Sequence, residues 1–565
     1  MQIVIPMSGF GERFRRAGYT LPKPLIPIDG KPIISYVIDM FPGETNFLFI
    51  CNQEHLDHPD YEMRSVLTKY CPTGKVIGIE PHKLGPVHAV LQAKHLIDPA
   101  QPVVVNYCDF TCYWDWAHFK NFTTQSNCVG AIPAYRGFHP HSLGSTNYAY
   151  MRASNGWVTD IQEKKPFTDN RIEEYASSGT YYFATGEIMD TAFRNIVAKG
   201  AQVAGEYYVS LAYKPLLEKN KEIAVYELQH FMQWGTPEDV ADYLYWSKLF
   251  RELSKPKNSS NCPLGSLLIP MAGAGQRFSQ AGYDLAKPLI PVSGQPMVAQ
   301  AASDLPSPET LAFVLRADMA GYAEISETLK ALYPNAILSA IDHLTEGQAC
   351  TVQLGVVALQ NTADSVPVPL TIGTCDNGVI FDEQEFRALV NDPTIDIIVW
   401  AIRGYPNALR FPNMYGWLDV VGDRIRGVSV KTPLSDPTRD PIVLGTFTFK
   451  QPEILLKIID RLIQRNGRIN GEFYLDSTLI DAIELGLNCQ LFEVDSYLSW
   501  GTPNDLRTFE YWQSCFHKWA NHPYNLQRDS RVSTLSLAGL EEKYKVVLPV
   551  LPMSDLSLLG CSRDC

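Results

Sequence analysis

Residues 3–28 read IVIPMSGFGERFRRAGYTLPKPLIPI, and the fold follows from how that string is punctuated. Its apolar opening has the length and composition of a buried strand. Ser8-Gly9-Phe10-Gly11 breaks the run with tight-turn chemistry. A basic, amphipathic segment occupies 12–17, and Pro22-Lys23-Pro24-Leu25-Ile26-Pro27 returns in extended form. A strand, a glycine turn and a helix start together make an anion site, because glycine lets the backbone come close and free N–H groups point at the charge. Arg13 stands in the first turn after the glycines and Lys23 on the return, two cations for one bound polyphosphate. The string occurs twice. Residues 268–292 read LIPMAGAGQRFSQAGYDLAKPLIPV, with Gly275, Arg277 and Lys287 each 264 positions after Gly11, Arg13 and Lys23.

Outward from that string, the pattern predicts a helix over 32–40, a strand over 46–51, a helix over 61–70 and a strand over 75–79. A loop opening a helix follows over 84–93, and then a strongly apolar strand over 102–108 that runs into Asp109. Strands alternating with helices imply βαβ units and a mostly parallel sheet. Ligands of such sheets sit beyond the carboxyl ends of the strands, where the glycine turn and Asp109 both fall. From 128 the chain is richer in strands, expected over 129–134, 148–152, 158–162 and 180–184, and a helix over 237–253 closes the copy. The layout then repeats. Asp376 answers Asp109 267 positions on, and Gly471-Glu472-Phe473-Tyr474 answers Gly205-Glu206-Tyr207-Tyr208 266 positions on. Trp500-Gly501-Thr502-Pro503 answers Trp234-Gly235-Thr236-Pro237. The expected organisation is a first domain over 1–253, a Pro-, Ser- and Asn-rich linker over 254–264, a second domain over 265–515, and a tail over 516–565 that matches neither copy and carries no functional signal.

With 565 residues, 45% of them hydrophobic and 19% charged, the chain has core enough for two domains of ordinary size. A formal net charge of −13 weighs against nucleic acid or an anionic membrane as partner. No apolar run reaches bilayer length and no signal-type segment precedes the first strand, so the cytoplasm is the expected location. The twelve cysteines lack Cys-x-x-Cys spacing and read as reduced thiols; Cys108 and Cys112 have no second pair at a zinc spacing.

The glycine pattern is not a dinucleotide fingerprint, since Arg13-Phe14 stands where a third glycine belongs, and no Gly-Lys-Ser/Thr makes it a P-loop. Gly-x-Gly-x-Arg-Phe followed by Lys-Pro-Leu-Ile-Pro, present twice, resembles the signature of the sugar-phosphate nucleotidyltransferases, the nucleoside-triphosphate transferase family. The resemblance covers both copies. It implies an α/β, GT-A-like Rossmannoid fold with a mixed, mostly parallel sheet, duplicated in tandem. It implies that Ser8, Gly9 and Gly11, and Gly273 and Gly275, hold the triphosphate of an NTP. Arg13, Lys23, Arg277 and Lys287 would be the catalytic cations on its phosphates, and Asp109 and Asp376 the ligands of Mg²⁺. Glu163 and Lys164 resemble the family's Glu-Lys-Pro element at the sugar phosphate, with Lys165 inserted before the proline, and Lys431 is the counterpart in copy two. Gly179, Glu206 and Glu472 match positions near the acceptor. Gly85, and Gly347 with Gln348, match the base-reading loop, from which Pro86 departs.

The activity so implied moves a nucleotidyl group from an NTP to a phosphorylated sugar or similar small phosphate ester. It gives an NDP-sugar type of product and pyrophosphate, in the service of surface polysaccharide precursors. A phosphate monoester is mostly dianionic at neutral pH, its second pKa being about 6, so it attacks without a general base. The reaction needs in-line positioning and charge neutralisation. Gln233 and Ser499 stand where many family members carry a second metal carboxylate, and copy two departs further at Val430 and Gly378, so copy one is expected to be the better catalyst. A GT-A-type glycosyltransferase is the first alternative; such enzymes usually show Asp-x-Asp, where this chain has Asp109-Phe110-Thr111 and Asp376-Asn377-Gly378. A non-catalytic nucleotide-binding tandem protein is the second, motivated by the missing carboxylates. Subunit pairing within the family implies an intramolecular pseudo-dimer or a homo-oligomer.

Overall fold

The computed structural model describes residues 1–256, 262–362 and 366–553; part of the expected linker and the end of the tail lie outside the described residues. The chain divides into two units. The first comprises Met1–Ser247 with 518–521 and the chain from Lys545, and the second Lys248–His517 with 522–544.

In the first unit, Gln2–Met7, Phe47–Asn52 and Val103–Asn106 are buried at every position. They run parallel, with Gln2–Met7 between the other two and Lys75–Ile79 outermost beyond Phe47–Asn52. Parallel strands covered on both faces need continuous apolar runs, which these sequences supply. Each fully buried Val, Ile or Phe among them contributes about 1.5–3 kcal/mol. The chain leaves the middle strand to one side and returns on the other, so the order reverses between Gln2–Met7 and Val103–Asn106. That is the switch point at which open α/β sheets bind ligands.

The rest of the ten-stranded sheet is not parallel. Thr180–Phe183 is antiparallel to Val103–Asn106 and to Gly130–Tyr135, and Trp157–Glu163 is antiparallel to both its neighbours. Only Ile223–Glu227 beside Gly130–Tyr135 is parallel in that half. The mixed sheet is therefore mostly parallel only across the first four strands. After residue 130 the chain pairs by short returns such as that between Ala149–Ser154 and Trp157–Glu163, which only antiparallel strands allow.

The main sheet of the second unit has nine strands. From Ile337–Ile341 through Thr310–Arg316, Ser266–Pro270, Leu370–Ile372, Ile442–Phe449, Ile397–Ile402, Cys489–Glu493 and Arg424–Val430 to Gly416–Val421, they follow the order of the first sheet. One strand fewer is needed because Ile442–Phe449 pairs with Gly416–Val421 as well as with Ile397–Ile402, as Tyr175–Ser177 and Thr180–Phe183 do separately in the first unit. No helix among the described residues is long and apolar enough to cross a membrane.

Candidate active site

In the first unit, Met7 is followed by the glycine turn. Gly11 takes a left-handed φ of 66° and caps the short helix Glu12–Arg16. A side chain at Gly11 would be strained, and the position abuts the Lys23 backbone, which a Cβ would approach to 4.0 Å. Lys23 opens the 3-10 turn Lys23–Leu25, and its Nζ donates to Asp109 Oδ2 at 2.9 Å. Burial opposes the Lys23 charge, but Asp109, by charge and hydrogen bond, outweighs it and the ammonium titrates above the ordinary lysine value. The strand Val103–Asn106 stops short of its expected end at 108, and Asp109 lies three residues past it.

A two-stranded ribbon not evident in the sequence places what faces Asp109. Phe110–Tyr113 pairs antiparallel with His230–Gln233, setting Gln233 opposite Phe110, and the Trp234 N–H donates to the Asp109 carbonyl at 2.9 Å. Gln233 Nε2 donates to Asp239 Oδ2 at 3.0 Å, and Thr236 Oγ1 donates to the same oxygen at 2.7 Å. The amide that replaces a carboxylate at 233 thus has a carboxylate behind it.

The opposite wall carries the acceptor candidates. Ser210 Oγ donates to Glu163 Oε2 at 2.6 Å. Lys164, in a left-handed conformation of φ 58°, lies 4.4 Å from the centre of the Tyr208 ring and bonds its hydroxyl, which in turn donates to Glu206. Gly179 packs its left-handed backbone beside Tyr107 and Phe110. Gly85 is demanded by close approach: a Cβ there would come within 2.9 Å of the Tyr207 backbone, to which Leu84 and Val87 are hydrogen-bonded. Ser8, Gly9, Gly11, Arg13, Lys23, Gly85, Asp109, Glu163, Lys164, Gly179 and Glu206 all line one cleft of about 690 Å³. Tyr107, Tyr208 and Gln233 line it too. Of these, Tyr107 had no signal in the sequence, whereas Tyr208 stands within the repeated Gly-Glu-aromatic-Tyr string and could have been found there.

Burial raises the Glu163 carboxyl to about 7; the Ser210 hydrogen bond and Lys164 lower it, and Glu206 adds to the rise. Two consequences are expected. The folded carboxyl holds a proton up to about pH 7, while an unfolded one loses it near 4.3, so stability falls as pH rises through that window. Glu163→Gln should then raise the melting temperature at pH 8 and leave it unchanged at pH 4. An acceptor hydroxyl bound by the ionised carboxylate should be held less well below pH 7. The pH profile of kcat/KM for the acceptor should carry an inflection near 7 that Glu163→Gln removes; an inflection surviving in that variant would assign it to another group.

The second unit repeats the donor wall. Gly275 has φ 62°, Lys287 Nζ donates to Asp376 Oδ2 at 2.5 Å and to the Gly501 carbonyl at 3.4 Å, and the Trp500 N–H donates to the Asp376 carbonyl at 2.9 Å. Ser499 pairs with Asn377 as Gln233 does with Phe110. Gly347 lies against the Phe473 backbone and Gln348 opens the helix Gln348–Thr362. Lys431 has φ 62° and lies 5.4 Å from the Tyr474 ring centre. The Arg277 charge acts on Lys287, Lys431 and Tyr474, and Glu472 on Lys431 and Tyr474. Gly378, a departure in the sequence, has a packing reason: a Cβ there would collide with the Asp304 carboxylate.

Residues 3–227 match the nucleotidyl transferase family. The chain is similar to that family over this segment, about two fifths of its length. It is 35% identical over 231 residues to the bifunctional protein GlmU of Burkholderia mallei, a match covering 40% of this chain and 46% of that protein. It is 29% identical over 240 residues to the GlmU of Burkholderia multivorans, 42% of this chain and 48% of that one. The chain thus spans about half the length of the curated relatives it matches. Among solved structures, a nucleoside-diphosphate-sugar pyrophosphorylase from Vibrio cholerae aligns at 22% identity over 43% of this chain and 99% of its own, with a TM-score of 0.35.

Of the carboxylates lining the cleft, Asp109 is the one bonded to Lys23, and no cluster of three or more His, Cys, Asp or Glu donors is found among the described residues. Mg²⁺ is commonly held by one or two carboxylates together with substrate phosphates. The donor set fits an ion that arrives with a triphosphate rather than a preformed cage.

Proposed function

We propose that the chain transfers a nucleotidyl group from an NTP to a phosphorylated sugar or similar small phosphate ester, forming an NDP-sugar type of product and pyrophosphate. The observation that carries the reading is Lys23 on Asp109 beside the glycine turn, across one cleft from Glu163 and Lys164. The Ser8–Gly11 backbone and Arg13 bind the β- and γ-phosphates. Lys23, released from Asp109, neutralises charge at the α-phosphate as it develops. Asp109 would hold Mg²⁺, and the ion would supply charge neutralisation at the phosphates. Lys164 and Glu206 orient the acceptor phosphate, and Glu163 accepts from an acceptor hydroxyl. An oxygen of the acceptor phosphate then bonds to the α-phosphorus. The bond from that phosphorus to the α,β-bridging oxygen breaks, and its electron pair leaves with pyrophosphate. No side chain need take a proton, since the attacking phosphate is already ionised.

The second half is read as a tandem duplicate with its own donor wall, Lys287 on Asp376. Its Gln348 has the hydrogen-bonding capacity to read a base edge that Pro86 lacks. The test is pyrophosphate release by the full chain with Mg²⁺, four NTPs and a panel of sugar 1-phosphates and other small phosphate esters. Release with at least one pair is expected. Sugar transfer from a nucleotide sugar without pyrophosphate would replace the reading by a glycosyltransferase.

A further inference from the structure

The two units differ at three positions that change together. In the first, Glu163 faces Ala149 across the strand pair, and Ser210 donates to Glu163. In the second, the same register sets Val430 opposite Gly416. Asp476 stands where Ser210 stood, four residues after Glu472 as Ser210 is after Glu206. Its carboxylate occupies the space over Gly416, where a Cβ would collide with it. Each constellation thus keeps one carboxylate. The strand supplies it in the first unit and the turn Leu475–Ser477 in the second.

Simple loss of the acid would need only Val430. It gives no reason for Gly416, nor for placing a new carboxylate where burial costs free energy unless it is used or paired. Burial lifts the Asp476 carboxyl to about 6, against the pull of Lys431, so it is largely ionised at neutral pH. Lys431, 5.4 Å from the Tyr474 ring centre, in turn feels Asp476, Arg277 and Glu472.

We propose that Asp476 is the acceptor-reading carboxylate of the second unit, and that its move from strand to turn gives the two halves different phosphorylated, hydroxyl-bearing acceptors. The proposal rests on the functional reading above. Val430, in the place of Glu163, has no side-chain oxygen to accept from the hydroxyl assigned to Glu163, and Asp476 accepts from a different one. A site built to hydrogen-bond a hydroxyl strongly rejects the analogue lacking it. The halves should therefore separate cleanly on a panel of phosphates.

The experiment uses the full chain carrying Lys23→Ala, so that pyrophosphate release reports the second unit alone. Against wild type, the preferred acceptor should change identity, and adding Asp476→Asn should raise KM for it about tenfold or more while KM for the NTP stays within twofold. A second variant, Val430→Glu with Asp476→Ser and Gly416→Ala, should move the preference back to that of the first unit. An Asp476→Asn protein that unfolds earlier but keeps its acceptor KM, or a triple variant with unchanged preference, would overturn the proposal and make Asp476 structural. No release by Lys23→Ala with any acceptor, while wild type is active, would instead remove the second unit as an active site, a failure of the functional reading.

Discussion

Lys23→Ala, placed in a chain already carrying Lys287→Ala, lowers the remaining turnover by about 10²–10³, the cost of removing one preorganised charge from a phosphoryl-transfer site. The position explains the size. Among the cations lining the cleft, Lys83 and Arg16 are drawn to Glu12, Lys164 lies at the Tyr208 wall, and Arg13 stands in the helix after the glycine turn. Lys23 alone bonds Asp109, and both side chains remain about a quarter exposed. A partly exposed pair contributes about 0–1 kcal/mol to stability, so the melting temperature should move little. The loss should therefore appear in kcat with a folded protein. Lys23→Arg should not restore it, because a planar fork does not replace a compact ammonium at one oxygen. Single-turnover kinetics measure this directly, and turnover within fivefold of the parent would remove Lys23 from the chemistry.

Arg531→Ala should destabilise the second unit by about 3–5 kcal/mol, the usual cost of stranding a buried charge. Arg531 Nε lies 3.0 and 3.2 Å from the two oxygens of Asp304, whose side chain is 1% exposed. Gln300 is the other donor near that carboxylate, at 3.5 Å. The flanking tail is tied down at Ser536, which donates to the Gly294 carbonyl at 2.8 Å, and by Tyr544, which donates to buried Gln513 at 3.0 Å. Hydrogen exchange in the helix Met297–Ser303 should accelerate by about a hundredfold or more, as 1.36 kcal/mol is tenfold. Asp304→Leu with Arg531→Met should recover most of the loss, since an apolar pair of similar volume replaces a buried ion pair at little cost. Exchange unchanged in Arg531→Ala would mean that water reaches Asp304.

What the sequence made legible was local. The strand, glycine turn and Lys-Pro-Leu-Ile-Pro string lie within one βαβ step, and the string's repetition marked the second unit as well. Lys23 and Asp109 are 86 residues apart, yet Lys23 lies on the return from the glycine turn and Asp109 just past an apolar strand, so their meeting could be expected. The ribbon joining Phe110–Tyr113 to His230–Gln233 could not. Its strands are four residues each, Asp109 breaks the first, and the partner lies more than a hundred residues on. The antiparallel half of the sheet was underweighted for a related reason: alternation does not state which neighbour a strand will choose. Gly85 reads in the sequence as part of a base loop, and the structure adds that the close Tyr207 backbone requires glycine there. Asp476 escaped notice because its meaning lies in three exchanges at separate places, joined only by strand register. The tail gives no signal because contacts such as Arg531 on Asp304 and Ser536 on Gly294 join residues 227 and 242 positions apart.

The most direct measurement follows an NTP labelled at its α-phosphorus in the presence of the accepted phosphate ester. The account predicts one pyrophosphate released per conjugate formed, with all the label in the conjugate. Label appearing in free nucleotide, or a conjugate formed without stoichiometric pyrophosphate, would contradict it.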